Sequence, residues 1–281
     1  MLSVDFRSLT LPVGIVRIFE FVLTCICFSL VASVGPRYSS YWHWCMFTWC
    51  FCCFMTLFIL ILEFTRLSVK VPVSWDDFTT AFAMLATLML LASSIIYPAL
   101  YTCPSCIKDI AASVVSWTCV VLYAVEVWLV HKRPGEISGF LSTVSGLLKI
   151  VETFVACIIF TSLDSSQYTL PGLQWCVAVY SLCFIFALLI ILLTIGQLVS
   201  AFPLPFDKVV TVYNILAAVM YLTVVVIWPL YAFENKPRPI DCYFCSWDKL
   251  VVVSFLTAFN VVVYIFDAIY SIKLVFNLSF R

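Results

Sequence analysis

The chain has 281 residues, of which 64% are apolar and 11% are charged, and its formal net charge is zero. Soluble domains contain about 45–50% apolar and about 25% charged residues, so this composition excludes a soluble globular protein and predicts an integral membrane protein. A net charge of zero gives no indication of nucleic acid as a partner.

Eight apolar stretches are long enough to cross a hydrocarbon layer about 30 Å thick. Tyrosine and tryptophan gather near their ends, which is typical of side chains at the level of the lipid headgroups. No cleavable signal peptide is expected, because Asp5, Arg7 and Arg17 interrupt the first stretch. The predicted spans cover approximately residues 11–34, 44–64, 77–97, 110–130, 140–163, 173–198, 209–230 and 250–274.

One sequence occurs twice, as GIVRIFEFVLTCICF at residues 14–28 and as GLLKIVETFVACIIF at residues 146–160. Each copy holds a cation and an acid three residues apart, Arg17 with Glu20 and Lys149 with Glu152, at an offset of 132. Residues three apart lie on one face of a helix. Each copy therefore predicts a cation beside a carboxylate in an otherwise apolar helix.

The repeat continues through the rest of the chain. Pro72-x-x-Trp75-Asp76 precedes the third span as Pro203-x-x-Phe206-Asp207 precedes the seventh, and both spans are expected to end at a proline. These matches predict a tandem duplication of a four-helix unit, with expected domains at residues 8–133 and 134–281. Because four spans is an even number, both units are expected to insert the same way up, as parallel repeats.

Ionisable groups inside a span are costly and usually face a partner in the bundle interior. Glu126 in the fourth span and Asp267 in the eighth lie at a depth similar to that of the repeated cation and acid pairs. We expect one structural charge cluster in each unit. The first would join Arg17, Glu20 and Glu126, and the second would join Lys149, Glu152 and Asp267.

An ion or proton path through these clusters is the functional alternative. The internal charge balance, the position near one side of the bilayer and the scarcity of other polar residues favour structural clusters instead. Asn260 is the main polar residue expected near a midplane. The sequence therefore favours packing over conduction.

Two cysteine pairs lie in loops that should face the outside, Cys103 with Cys106 and Cys242 with Cys245. Their C-x-x-C spacing in an oxidising compartment favours a local disulfide in each loop. Free thiols, a four-cysteine zinc site and a redox-active pair are the alternatives, although no thioredoxin-like elements surround the motif.

The remaining signals concern catalysis and orientation. The chain has no Gly-rich phosphate loop, no H-E-x-x-H, no G-x-S-x-G and only two histidines, so we expect no enzyme, no metal and no cofactor. With the N-terminus inside, eight lysines and arginines lie on the cytoplasmic side and five lie outside. This difference favours cytoplasmic termini.

Six strings, which together sample most of the chain, resemble the myeloid-associated differentiation marker family. That family carries two MARVEL four-helix domains in tandem. The strings are SLVASVG at residues 29–35, MFTWCFC at 46–52, SIIYP at 94–98, RPGEI at 133–137, ETFVACIIF at 152–160 and WCVAVY at 175–180.

The resemblance implies a non-enzymatic, multi-pass protein of the plasma membrane and vesicle membranes. It implies association with cholesterol-rich ordered domains and roles in membrane apposition, trafficking or cortical signalling during cell spreading and migration. The implied partners are a sterol-rich bilayer, other membrane or cortical proteins and a second copy of the chain. A small-solute or ion transporter and an assembly partner for another membrane protein are the alternatives.

Overall fold

The computed structural model describes residues 10–131, 144–163, 170–201, 205–234 and 245–279. All regular structure in these ranges is helical, with short 3₁₀ turns at Leu67–Lys70 and Leu198–Ala201. The eight long helices are α1 (Pro12–Val34), α2 (Ser40–Phe64), α3 (Trp75–Tyr101), α4 (Ile107–His131), α5 (Val144–Ser162), α6 (Pro171–Ile195), α7 (Phe206–Ala232) and α8 (Ser246–Ser279).

Each of the eight helices is long and apolar enough to cross a membrane. A span needs about 20 apolar residues, and the qualifying lengths here run from 19 residues in α5 to 31 in α8. The prediction of an all-α polytopic membrane protein with eight transmembrane helices is confirmed. The parallel insertion of the two halves stays a prediction.

The chain divides into two compact units, Met1–Ser142 and Thr143–Arg281. In unit 1, each of the helices α1 to α4 packs against the next, and α4 packs against α1 to close the ring. Helices α5 to α8 form the same ring in unit 2. The expected domain boundary between residues 133 and 134 lies outside the described residues.

Several helices are longer than the apolar stretches that predicted them. The third and seventh spans were expected to end at Pro98 and Pro229, but α3 continues to Tyr101 and α7 to Ala232. Proline removes only one backbone donor, and neighbouring groups in a bundle can satisfy the carbonyl that it frees. The sixth span was expected to reach residue 198, but α6 ends at Ile195, before Gly196.

The duplication is visible in the backbone. Helices α2 and α6 both have 25 residues, and α3 and α7 both have 27, at a constant offset of 131. Arg66 and Gln197 follow α2 and α6 at that same offset, and each has a φ of 54°. Non-glycine residues seldom adopt this left-handed conformation, so its recurrence supports a common origin of the two units.

The interior of each bundle is lined largely by small residues and aromatic rings. Lipid is as apolar as leucine, so helices in a membrane associate through close packing and hydrogen bonds between them. Large apolar side chains instead cover the outside, among them Phe54 and Phe255. Small buried side chains with no exposed surface in unit 1 include Cys27, Cys45, Ala83, Ala86 and Ala112.

Candidate functional site

A buried ion-pair cluster lies at one end of unit 1, which we call the Arg17 end. α1 and α3 begin there, and α2 and α4 end there. The Arg17 Nε atom of α1 lies 2.5 Å from Glu126 Oε1 of α4, and its guanidinium also donates to Glu63 of α2. Trp75 Nε1 of α3 donates to the same Glu63 oxygen at 3.1 Å. One cluster therefore joins all four helices.

Glu20 lies next to this cluster without an ion pair to the arginine. The residue has no exposed surface, and neither of its carboxylate oxygens has a hydrogen-bond partner. It interacts electrostatically with both Arg17 and Glu126. The expected helix-face pair between Arg17 and Glu20 is thus replaced by pairs that reach across the bundle.

Unit 2 has its own cluster at the equivalent place, which we call the Lys149 end. Lys149 Nζ lies 2.6 Å from Glu152 Oε2 and 2.6 Å from Asp267 Oδ2, and none of the three side chains is exposed. Ser145 Oγ donates to Asp267 Oδ1 at 2.7 Å. In unit 2, the ion pair within α5, between Lys149 and Glu152, therefore exists together with the ion pair between α5 and α8, which joins Lys149 to Asp267.

Two tyrosine rings complete the lysine site. Lys149 Nζ lies 5.0 Å from the ring centre of Tyr213 and 5.3 Å from that of Tyr264. An ammonium ion is attracted to the negative face of an aromatic ring, more strongly where water is excluded. The two tyrosines therefore stabilise a lysine that has no access to solvent.

Sequence reasoning missed Glu63. It lies at the end of α2, and the residue at the equivalent place in α6 is Thr194, which donates to the carbonyl of Ile190 in its own helix. Glu63 is therefore not among the charges that the two copies of the repeat share. The lone acid at the end of an apolar span was the signal that could have identified it.

A cavity of about 140 Å³ opens at the Arg17 end of unit 1. Arg17 and Glu63 line it, and all four helices contribute to its wall. The Glu63 side chain is 21% exposed, whereas no side chain of the three-residue Lys149 cluster is exposed at all. The Arg17 cluster is thus the more accessible of the two.

The opposite end of unit 1, the Cys103 end, holds a second polar network. Cys103 and Cys106 form a disulfide in the turn before α4. Asp109, in the first turn of α4, accepts from Arg37 at 2.9 Å and from the Tyr97 hydroxyl at 2.5 Å. This network fixes the beginning of α4 to the loop after α1 and to the end of α3.

The second C-x-x-C motif is only partly described. Cys245 is disulfide-bonded, and Cys242 lies outside the described residues. Within the described part of the chain, no group of three His, Cys, Asp or Glu side chains is placed to hold a metal ion.

Eight apolar helices in two closed four-helix bundles, each with a buried charge cluster, define a polytopic membrane protein built by duplication. The chain matches the family of the membrane-associating domain, MARVEL, over residues 8–129 and 140–270. It belongs to this family, and within it to the myeloid-associated differentiation markers. No solved structure matches it.

Its relatives cover nearly the same length. The human myeloid-associated differentiation marker is 43% identical over 290 aligned positions, which cover 96% of this chain and 90% of the relative. A Xenopus laevis homologue of that protein is 40% identical over 96% of this chain and 94% of its own. The human myeloid-associated differentiation marker-like protein 2 is 39% identical, with 96% and 94% covered.

Proposed function

We propose that this protein organises thick, ordered, sterol-rich membrane and acts through the bilayer around it, without an enzymatic activity. The observation that carries this proposal is the length of its apolar helices. After its charged first turn, each of α3 and α7 has 24 uncharged residues, 78–101 and 209–232, which extend about 36 Å at 1.5 Å per residue. This exceeds the hydrocarbon thickness of about 30 Å of an average bilayer.

A long apolar surface prefers a thick bilayer because mismatch costs a fraction of a kcal/mol per Å. Large side chains such as Phe54, Phe255 and Phe266 cover the outside of the helices and are more than half exposed. Each of the two bundles presents such a surface. In thinner lipid, the same mismatch would bring copies together and reduce the boundary that they share with lipid.

In a cell, this preference would place the protein in the plasma membrane and in vesicle membranes. The excess of lysine and arginine in the predicted inner loops would place both termini in the cytoplasm. Ordered patches gathered around it would support membrane apposition, trafficking or cortical signalling in cell spreading and migration. Its partners would be a sterol-rich bilayer, other membrane or cortical proteins and further copies of itself. The membership in the myeloid-associated differentiation marker family supports this class of role.

The test is the partition of the purified, fluorescently labelled chain between ordered and disordered phases in giant vesicles of saturated lipid, unsaturated lipid and cholesterol. We expect enrichment in the ordered phase, and we expect energy transfer between labelled copies to rise as bilayers of single lipids become thinner. A peptide with one span of about 20 apolar residues is the control. Equal partition of chain and peptide would contradict the proposal.

A further inference from the structure

One face of α4 is buried along the whole length of unit 1. Its residues recur every three or four positions, which places them on one side of a helix. Each of the six is at most 2% exposed, and all except the alanine carry a polar or thiol group. They are Glu126, Tyr123, Cys119, Ser116, Ala112 and Asp109.

Hydrogen bonds join this face to the other helices at successive levels. Nearest the Arg17 cluster, the Tyr123 hydroxyl lies 2.6 Å from Thr56 Oγ1 of α2. In the middle of the bundle, Ser116 Oγ accepts from Trp49 Nε1 at 3.0 Å and lies 2.7 Å from Ser94 Oγ of α3. We give the name polar column of unit 1 to the six residues of this face together with Arg17, Glu20, Thr48, Trp49, Thr56, Ser93 and Ser94.

Three members of the column, Glu20, Thr48 and Ser93, have buried side-chain oxygens without a hydrogen-bond partner. Thr48 Oγ1 and both carboxylate oxygens of Glu20 are unpartnered, and neither residue has exposed surface. Buried polar atoms are normally satisfied, often by internal water that bonds to several groups. The Ser93 hydroxyl is the third of these groups, and Ser93 has no exposed surface either. The polar lining that sequence reasoning expected to be scarce therefore exists in unit 1.

Both ends of the column meet partly exposed charged groups. At the Arg17 end, the cavity reaches Arg17 and Glu63. At the Cys103 end, Asp109 is buried but pairs with Arg37, whose side chain is 30% exposed. A charged group that contacts solvent thus lies at each end of a face that is polar in between.

The buried face of α8 in unit 2 can be compared with that of α4, residue by residue. Tyr264 and Asp267 of α8 match Tyr123 and Glu126 at an offset of 141. At this offset Thr257 matches Ser116, and its hydroxyl lies 2.6 Å from Tyr180, the counterpart of Trp49. Asn260 stands at the place of Cys119, and its amide donates to the Tyr221 hydroxyl at 3.0 Å. Beyond Thr257 the face becomes apolar, because Val253 and Leu250 stand at the places of Ala112 and Asp109. The acid that follows the second C-x-x-C pair, Asp248, lies two positions before Leu250.

The same difference appears on the neighbouring helices. At the offset of 131, the three polar residues Thr48, Ser93 and Ser94 of unit 1 become valines in unit 2. Two of these valines, Val179 and Val224, are at most 1% exposed. The outer part of unit 2 is therefore filled with apolar side chains at the positions where unit 1 has hydroxyl groups.

We propose that unit 1, and not unit 2, conducts protons along its polar column, from the cavity at the Arg17 end to Asp109 at the Cys103 end. A proton suits such a path, because a hydroxyl can accept one proton and donate another. A proton from water in the cavity would bind Glu63, the carboxylate that lines the cavity, and pass to Glu126 and then to Glu20. It would pass through hydroxyls and internal water to the Asp109 carboxylate and then to solvent.

The test uses the purified full-length chain in liposomes that contain a pH-sensitive dye, with a potassium gradient and valinomycin to drive proton entry. We expect acidification well above that of empty liposomes. Glu20→Gln should reduce the rate at least tenfold, since an amide does not take up a proton at neutral pH. The matched control is Glu152→Gln in unit 2, which should leave the rate unchanged.

A second variant tests the proposal independently, in case Glu20→Gln does not fold. The triple substitution Thr48→Val, Ser93→Val, Ser94→Val gives unit 1 the side chains that already pack in unit 2, and it should also reduce the rate at least tenfold. The conservative variant Thr48→Ser should keep the wild-type rate. The proposal is overturned if wild-type liposomes acidify no faster than empty ones, if the folded triple variant conducts normally, or if Glu152→Gln is as damaging as Glu20→Gln.

Discussion

Arg17 and Glu126 are 109 residues apart in sequence, yet the guanidinium of one lies 2.5 Å from the carboxylate of the other. Removing one partner of a buried pair leaves an uncompensated charge, which costs about 3–5 kcal/mol. We expect Arg17→Met to lower the free energy of unfolding by about this amount. Adding Glu126→Gln should recover part of the loss, because it removes one unpaired carboxylate.

Titration with SDS in mixed micelles, followed by tryptophan fluorescence, measures these free energies. Lys108→Met, at an exposed position, is the control and should change the stability by less than about 0.5 kcal/mol. If the double variant were no more stable than Arg17→Met, the pairing of Arg17 with Glu126 would contribute little.

A close contact in unit 2 leads to a second prediction. A Cβ atom on Gly172 would lie 2.6 Å from the ring of Tyr231, so Gly172→Ala should cost about 1–3 kcal/mol through overpacking. The equivalent positions of unit 1 hold Tyr41 and Leu100, a large residue in place of the glycine and a smaller one in place of the tyrosine. Gly172→Ala combined with Tyr231→Leu should therefore regain the loss. If the changes in melting temperature caused by Gly172→Ala and by Tyr231→Leu simply added in the double variant, the smaller side chain at residue 231 would not be making room for the alanine.

The left-handed residue after α6 allows a test of backbone strain. Gln197 has a φ of 54°, a region that costs non-glycine residues about 1–2 kcal/mol. Gln197→Gly should therefore be more stable than Gln197→Ala by about 1 kcal/mol, since both lose the same side-chain contacts. The same pair of substitutions at Leu192, inside α6, should show the opposite order. Equal melting temperatures for the two variants at Gln197 would mean that the strain is absent.

The disulfide between Cys103 and Cys106 closes a loop of only four residues. Chain entropy predicts that such a link contributes about 2 kcal/mol, so Cys103→Ser with Cys106→Ser should lower the melting temperature modestly. Cys50→Ser, at an exposed cysteine that is free, should have no comparable effect. Mass spectrometry after alkylation without reductant should find Cys103 and Cys106 unmodified; alkylation of both would contradict the oxidised state.

The orientation of the two units is open to direct labelling. Tyr38 lies in the loop between α1 and α2 and is fully exposed, and Val69 lies beyond the opposite end of α2 with 84% exposure. A membrane-impermeant maleimide should label Tyr38→Cys on intact cells, and Val69→Cys only after permeabilisation. Leu198→Cys should behave like Val69→Cys, because both halves are expected to insert the same way up. Labelling of Leu198→Cys on intact cells would mean that the second unit is inverted.

The sequence predicted the number of helices well and their ends less well. Hydropathy detects only the part of a helix that lies in hydrocarbon, so the third span was expected to begin at Asp77, whereas α3 begins at Trp75. The turns beyond the apolar part are helical because their backbone bonds continue, and polar side chains there do not interrupt them.

The sequence also predicted only some of the residues of the candidate site. Repetition in the sequence identified Arg17 and Lys149 as buried cations, because such residues have no other reason to recur inside apolar spans. It could not identify Glu63, which has no acidic counterpart in unit 2, nor show that Arg17 reaches across the bundle while Lys149 also bonds within its own helix. Those choices depend on the reach of each side chain and on the facing helices.

The different reach of the two cations also makes the two bundles mechanically unequal. Arg17 holds the end of α2 through Glu63, whereas Thr194, at the same place on α6, returns its hydroxyl to its own helix. Strain applied at this end would be shared by four helices in unit 1, whereas in the described part of unit 2 the ion pairs join α5 to α8 and do not reach α6 or α7. Helix α6 is instead joined to α7 by the Tyr213 hydroxyl, which donates to the Cys183 carbonyl at 2.8 Å, so force on its end would pass through a neutral hydrogen bond and not through an ion pair.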